Sequence, residues 1–327
     1  LGRGCETIAT VAHEIGHALG FFHTMGRHDR DEYVTVNLEN IKNYPTMVPS
    51  DANYRRTIGS PFISFIDLSM MNELYECKER CKKEAPVTCE RGGFPHPRDC
   101  QKCICPGGYG GTRCTERPEG CGNTLQASTE WQTLQDTLGE YYSTREDYTK
   151  CNYWIQVFSL TMLSSCCLLE FRSLFPKKNL RCRTYTSPSS QSPSDTVIEI
   201  RLAMFTRGVV ADGCEWAGVE IKTNEDQTRT GYRFCSYYDR GTTLRSHSNL
   251  VPVITYNRHL RTTAILKYRY GRVVFRYISR FYLVPASSPS TIPLPVPPSS
   301  PSTISPTSAA KEPSDTEKEI SCVDKPT

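Results

Sequence analysis

The chain has 327 residues, 38% of them apolar and 23% charged, with a formal net charge of +4. A length of that order holds roughly one to three domains, and the mild charge excludes the strongly basic footprint of a nucleic-acid-binding protein. Sixteen cysteines exclude a reducing cytosol and read as disulfides, because zinc-finger spacings do not run through them. The chain opens at Leu1 directly on functional sequence, with no charged and apolar leader, which is the expectation for a fragment or a processed chain. Its longest apolar stretch, near Phe158 to Phe175, is broken by serines, Glu170 and Arg172 short of a membrane span.

From Thr7 to Leu19 the apolar residues Ile8, Val11, Ala12, Ile15, Ala18 and Leu19 keep helical spacing. His13 and His17, at i and i+4, therefore share one face, and two imidazoles on one face can grip a zinc ion. Glu14 flanks that face, so it can stand beside a metal-activated water without ligating the metal. Gly20 suits a helix stop, and a sharp turn there returns His23 as a third nitrogen. Three nitrogens leave a position open for water, the arrangement of a catalytic rather than a structural site. Zinc would activate the water and the scissile carbonyl, while Glu14 takes the water proton and passes it to the leaving amine. A bare H-E-x-x-H also arises by chance on polar helix faces; here it extends to H-E-x-x-H-x-x-G-x-x-H with glycine at the bend. His28 falls in a charged loop and reads as solvated.

Residues 1–77 hold few cysteines and end in the helical pattern "FIDLSMMNELYEC". Residues 78–117 are dense in Cys, Gly and Pro. The stretch "CICPGGYGGTRC" has the glycines that a disulfide-stapled hairpin needs. A zinc cluster using Cys100 and Cys103 is the rival reading, and spacing leaves the cysteine pairing open. Residues 121–280 read as strands, in "TVIEIRLAMF", "GVEIKT", "GYRFCS", "TAILKYRY" and "RVVFRYI", and strands at such intervals suggest a sandwich. The segment at about 157–193 carries Cys166, Cys167 and Cys182 and reads as an insertion. The alternative is a functional loop closed by a bridge to Cys182. Residues 281–327 are rich in Pro, Ser and Thr, a disordered or mucin-like tail in which Cys322 stands alone. No N-x-S/T sequon occurs, so N-glycosylation is not expected.

The stretch "HEIGHALGFFHTMGRHDRDEYVTVNLENI" resembles the active-site segment of the astacin zinc metalloendopeptidases. The likeness continues through "VPSDANYRRTIGS" and "SFIDLSMMNELYEC". It is to the nematode set that appends an EGF-like and a CUB domain. Matched residue by residue, the resemblance implies His13, His17 and His23 as ligands of one Zn2+ per chain and Glu14 as general base. "CICPGGYGGTRC" looks like an EGF-like domain, which implies Cys81–Cys100, Cys89–Cys103 and Cys105–Cys114. "CGNT", "CNYWIQ", "GCEWAGVEI" and "GYRFCS" look like a CUB domain, which implies Cys121–Cys151 and Cys214–Cys235.

The implied fold is multidomain α+β. It has a partial metzincin (zincin-like) catalytic domain with the active-site helix at 1–77 and a small disulfide-rich EGF-like domain at 78–117. A β-sandwich CUB domain at 121–280 and the disordered tail follow. Three departures from the family pattern stand out. The sheet subdomain that precedes the helix is not in this sequence, and Cys5 and Cys77, whose family partners sit there, are expected unpaired. No S-x-M-H-Y Met-turn is found: "NIKNY" runs directly into "PTMVPSDANY", and Met47 does not fill the role. Thr24 follows the third histidine where many members have Glu. Ala217 stands where many CUB domains carry a calcium-binding Asp, so calcium is not expected. The implied function is a secreted zinc metalloendopeptidase acting on extracellular protein, matrix or cuticle-like substrates, with no nucleic-acid partner and no membrane span. The competing reading is an inactive relative serving as an extracellular protein-binding module, because a metal site needs supporting residues around its ligands.

Overall fold

The computed structural model describes residues 7–37, 46–83, 85–157 and 196–272, together with Gly2 and Glu39. Every element below belongs to one compact unit. Cys5, Cys166, Cys167, Cys182, Cys322, the insertion beyond Val157 and the tail lie outside the described residues.

Helix α1 spans Ile8–Ala18. Thr7 caps it, its side chain accepting from the Thr10 N–H at 3.2 Å. The helix stops in a Schellman turn: the N–H of Gly20, at φ +96°, donates to the His17 carbonyl, and that of Phe21 to the Gly16 carbonyl, both at 2.9 Å. No side chain of α1 is buried. A single turn of helix, α2 (Arg30–Tyr33), leads into β1 (Val34–Val36), which pairs antiparallel with β2 (Met47–Pro49). Met47 thus stands on a strand, opposite Val36. Helix α3 (Phe65–Leu74) starts at a capping box, Ser64 Oγ accepting from the Asp67 N–H at 3.1 Å and Asp67 from the Ser64 N–H at 2.8 Å. Beyond it, Tyr75 Oη donates to the Leu19 carbonyl at 3.2 Å and so ties this helix to the end of α1.

A 3-10 stretch, Cys77–Lys83, enters the cysteine-rich module, where β3 (Phe94–His96) pairs with β4 (Asp99–Ile104). Disulfides join Cys81–Cys100, Cys89–Cys103 and Cys105–Cys114. A segment this small buries too little apolar surface to fold on its core alone, so the bridges carry it. Cys100 and Cys103 each face a different partner, which leaves no paired thiolates for a metal. Among the described residues Cys77 is free.

Residues 121 onward form two facing sheets. One runs β10 (Tyr232–Phe234), β9 (Ala217–Ile221), β12 (Leu250–His259), β7 (Thr144–Gln156), β5 (Thr124–Gln126). The other runs β11 (Thr243–Arg245), β8 (Thr196–Phe205), β13 (Thr262–Arg272), β6 (Gln132–Leu138). All neighbours are antiparallel except β5 beside β7. Alternation builds the core: on β8, Ile198, Ile200 and Leu202 point inward and are fully buried, while Arg201 points out. Ile155, Val219, Ile221, Val251 and Val253 meet them from the facing sheet. Each such side chain contributes roughly 1.5–3 kcal/mol. Cys121–Cys151 and Cys214–Cys235 pin the sandwich. "TAILKYRY" lies within β13, which continues through Gly271, paired with Val197, to Arg272; the rest of "RVVFRYI" is not among the described residues. The sequence from 273 lies outside the described residues. β12, which no sequence pattern singled out, is the central strand of its sheet.

The outer face of the five-stranded sheet is covered. Residues 51–62 cross it as a strap. Tyr54 Oη donates to the Thr230 carbonyl at 3.0 Å, Tyr232 Oη to Asp51 at 2.7 Å, and the Arg233 N–H to Thr57 Oγ1 at 3.1 Å. The Phe62 ring sits 4.6 Å from that of Tyr148 and 5.0 Å from that of Tyr256. Gly59 and Gly213 meet backbone to backbone: a Cβ on Gly213 would stand 1.9 Å from the Gly59 carbonyl oxygen. Beside the strap, Arg233 and Glu220 form an ion pair at 2.9 Å with side chains only 6% and 9% exposed. The cysteine-rich module seats on the same face, Trp154 Nε1 donating to the Gly108 carbonyl at 2.7 Å and Tyr109 Oη to Gln227 at 2.9 Å.

Candidate metal centre

His13 and His17 project from successive turns of α1, and the Schellman turn folds the chain back so that His23 joins them. The Nε2 atoms stand 3.0 Å apart for His13 and His17, and 3.1 Å for His23 to each of the others. His17 is held in one orientation, its Nδ1 lying 2.7 Å from the Phe21 carbonyl. A carbonyl only accepts, so Nδ1 carries the proton and Nε2 presents its lone pair to the centre of the triangle. The same turn that stops the helix thus supplies the acceptor that fixes the tautomer of His17, the kind of support that metal-binding histidines need.

The donor set fits zinc. Ligands about 2.0–2.1 Å from a tetrahedral ion lie roughly 3.3 Å apart, close to the spacing of these three nitrogens. Bare lone pairs converging so tightly repel, and a cation between them reverses the sign of that interaction. Among the described residues this is the one group of His, Cys, Asp or Glu side chains with metal-holding geometry. Glu14 is exposed on α1 next to His13, with no hydrogen bond to another described residue. His28 is exposed and outside the group.

The loop after His23 is braced. Arg27 holds Asp29 in a fork at 2.8 and 2.6 Å, which keeps that carboxyl below its ordinary range, and Arg30 donates to the Met25 carbonyl at 3.2 Å. Beside His23 opens a cleft of about 1230 Å³. Phe21, Tyr33 and Met70 line it, and Asn224, Arg229 and Tyr232 of the sandwich form another part of its wall. Burial, and then the Asp51 carboxylate, push the Tyr232 hydroxyl upward, so it stays a neutral donor. Sequence reasoning missed these wall residues. Asn224 bonds Tyr54 across a separation of 170 residues, and no local pattern announces such a contact.

The sequence profile of Astacin (Peptidase family M12A) matches residues 1–44. The chain is 40% identical over 308 residues to zinc metalloproteinase nas-31 of Caenorhabditis elegans, covering 82% of this chain and 44% of that protein. It is 31% identical over 314 residues to zinc metalloproteinase nas-32 of the same nematode, covering 83% of this chain and 42% of that one. The chain thus spans less than half the length of these relatives. Among solved structures, the CUB1-EGF-CUB2 domain of human MASP-1/3 is 13% identical, with a TM-score of 0.26 over 58% of this chain and 56% of that one. The extracellular region of zebrafish Gpr126/Adgrg6 is 18% identical, with a TM-score of 0.27 over 47% of this chain and 15% of that one. The sequence matches place the chain in the zinc metalloendopeptidase lineage. Within that lineage, residues 1–44 resemble the astacin family.

Proposed function

We propose that the chain holds one zinc ion through His13, His17 and His23 and hydrolyses peptide bonds of extracellular proteins, with Glu14 as general base. The observation that carries this reading is the convergence of three Nε2 atoms at 3.0–3.1 Å beside an exposed carboxylate. Zinc held there supplies Lewis acidity toward water and the scissile carbonyl. The residues do the rest. The Phe21 carbonyl fixes His17, and the Gly20 turn sets His23. Glu14 receives the proton of the attacking water and returns it to the leaving amine. The cleft beside His23 takes the substrate chain, which there touches the sandwich as well as the helix segment.

The remaining parts fit the same reading. We take residues 78–117 as an EGF-like domain, residues 121–280 as a CUB domain, and residues 1–77 as the zinc-binding part of the catalytic domain. Five disulfides support folding in an oxidising, secretory environment. No helix among the described residues is long and apolar enough to cross a membrane. The experiment is elemental analysis of the purified chain combined with hydrolysis of an unfolded protein. Wild type is expected to hold one zinc and cleave, Glu14→Ala to hold zinc and not cleave, and His13→Ala to do neither. A chain that binds zinc without cleaving would point to the binding-module reading, and one that binds none would remove both zinc and protease.

A further inference from the structure

The two outer faces of the sandwich differ. The five-stranded sheet carries the strap and the cysteine-rich module; the four-stranded sheet carries neither. On that second sheet, alternation turns Leu266, Tyr268, Ile200, Leu202 and Leu244 inward, which leaves Lys267, Arg269, Glu199, Arg201 and Arg245 outward. Register sets them in two rows across the strands. Lys267, Arg201 and Thr243 form one row, and Arg269, Glu199 and Arg245 the next. Neighbouring strands lie about 4.8 Å apart, so the cations form a grid rather than a point.

We infer that this face binds a sulfated polysaccharide. Glu199 is the one carboxylate in the two rows, and it is already engaged by both Arg245 at 2.8 Å and Arg269 at 2.7 Å. Arg201 and Lys267 are exposed and have no carboxylate partner among the described residues. Arg201 is held by its Nε–H bond to Thr243 Oγ1 at 3.2 Å, and its guanidinium and that of Arg269 lie 5.8 and 4.5 Å from the ring of Trp131. Guanidinium planes fixed in this way present paired N–H groups with little further ordering, which suits the tetrahedral oxygens of a sulfate ester. Trp131, 37% exposed at the sheet edge, offers an apolar surface to a sugar ring.

The alternatives fit less well. Lipid insertion needs several protruding apolar side chains, and among the described strand residues of this sheet and those beside them Trp131 is the large exposed one. The five disulfides among the described residues suit an oxidising compartment, where the abundant linear polyanion is sulfated sugar rather than nucleic acid. The inference does not depend on catalysis.

The test is elution of the full chain from immobilised heparin in rising salt, beside titration with soluble heparin and with desulfated heparin. Wild type is expected to stay bound beyond about 0.15 M salt and to ignore desulfated heparin. The double substitution Arg201→Ala with Lys267→Ala is expected to weaken binding roughly tenfold or more. It should also lower the slope of log affinity against log salt by about two, one for each lost contact. Lys267→Arg keeps the charge and elutes with wild type. The same loss of charge on the cysteine-rich module, Arg98→Ala with Lys102→Ala, leaves elution unchanged. Equal loss in the two double variants, undiminished binding of desulfated heparin, or equally tight binding to phosphatidylserine vesicles would overturn the proposal.

Discussion

Helix α1 and strand β9 stand at opposite ends of one scale. The helix carries two of the three converging histidines and buries none of its residues, whereas every residue of β9 is buried, Glu220 included. The helix is set by neighbours close in sequence: a threonine cap, a glycine turn and a histidine bonded to a carbonyl four residues on. The strand is set by partners far away, packed on one side by the opposite sheet and on the other by the strap. Local encoding therefore shapes the histidine cluster, and long-range packing builds the sandwich.

That contrast is sharpest at Arg233. Replacing it with Met leaves Glu220 charged with no cation paired to it, keeping only the Gly231 N–H at 2.9 Å, so unfolding in urea should show a loss of about 3–5 kcal/mol. Little change would mean that the strap contributes nothing to the sandwich. Lys222 probes the same region by pH. Burial pushes its ammonium down to about 8, and its Nζ donates to the Arg229 carbonyl at 2.6 Å. The unfolded chain, with the ordinary value of 10.5, then holds more protons between about pH 8 and pH 10. Stability from this group should rise across that window by roughly 2–3 kcal/mol. Above about pH 10 the buried tyrosines, Tyr109 among them at about 12, act in the opposite direction. Urea titrations of wild type and Lys222→Met across the window should differ by this rise, and parallel curves would discount the burial.

Smaller effects belong to the helix. Gly20→Ala forces a left-handed residue to carry a side chain, a local cost of about 1–2 kcal/mol. It should weaken zinc binding about tenfold in a chelator competition while the thermal transition of the sandwich stays put. Thr7→Ala removes the cap, worth about 1 kcal/mol, and should speed amide exchange in α1 with less effect on zinc. If either variant lowered the sandwich transition, the separation between local and long-range order would fail.

The same separation decides what could be read from the sequence. The triad was legible because each of its determinants lies within a few residues of a histidine. The strand pattern of β8 was legible because its outer face meets solvent and alternates. The strap was not, since Asp51, Tyr54 and Thr57 look like ordinary loop residues until Tyr232 and Arg233 are opposite them. Strand β12 escaped because, covered on both sides, it lacks alternation. The disulfide pairs were suggested by kinship, since spacing alone permits several sets.

The contact of Gly59 with Gly213 bears on how such a protein could be recombined. At Gly213 a methyl group would collide with the Gly59 carbonyl, whereas at Gly59 there is room for one and only the left-handed backbone, φ +79°, disfavours it, although the two positions sit far apart in the chain. A chimera that takes the helix segment from one relative and the sandwich from another would draw the two sides of that contact from different parents. Exchange should therefore misassemble at this seam where the sandwich half lacks glycine at 213, and tolerate a change at 59 far better.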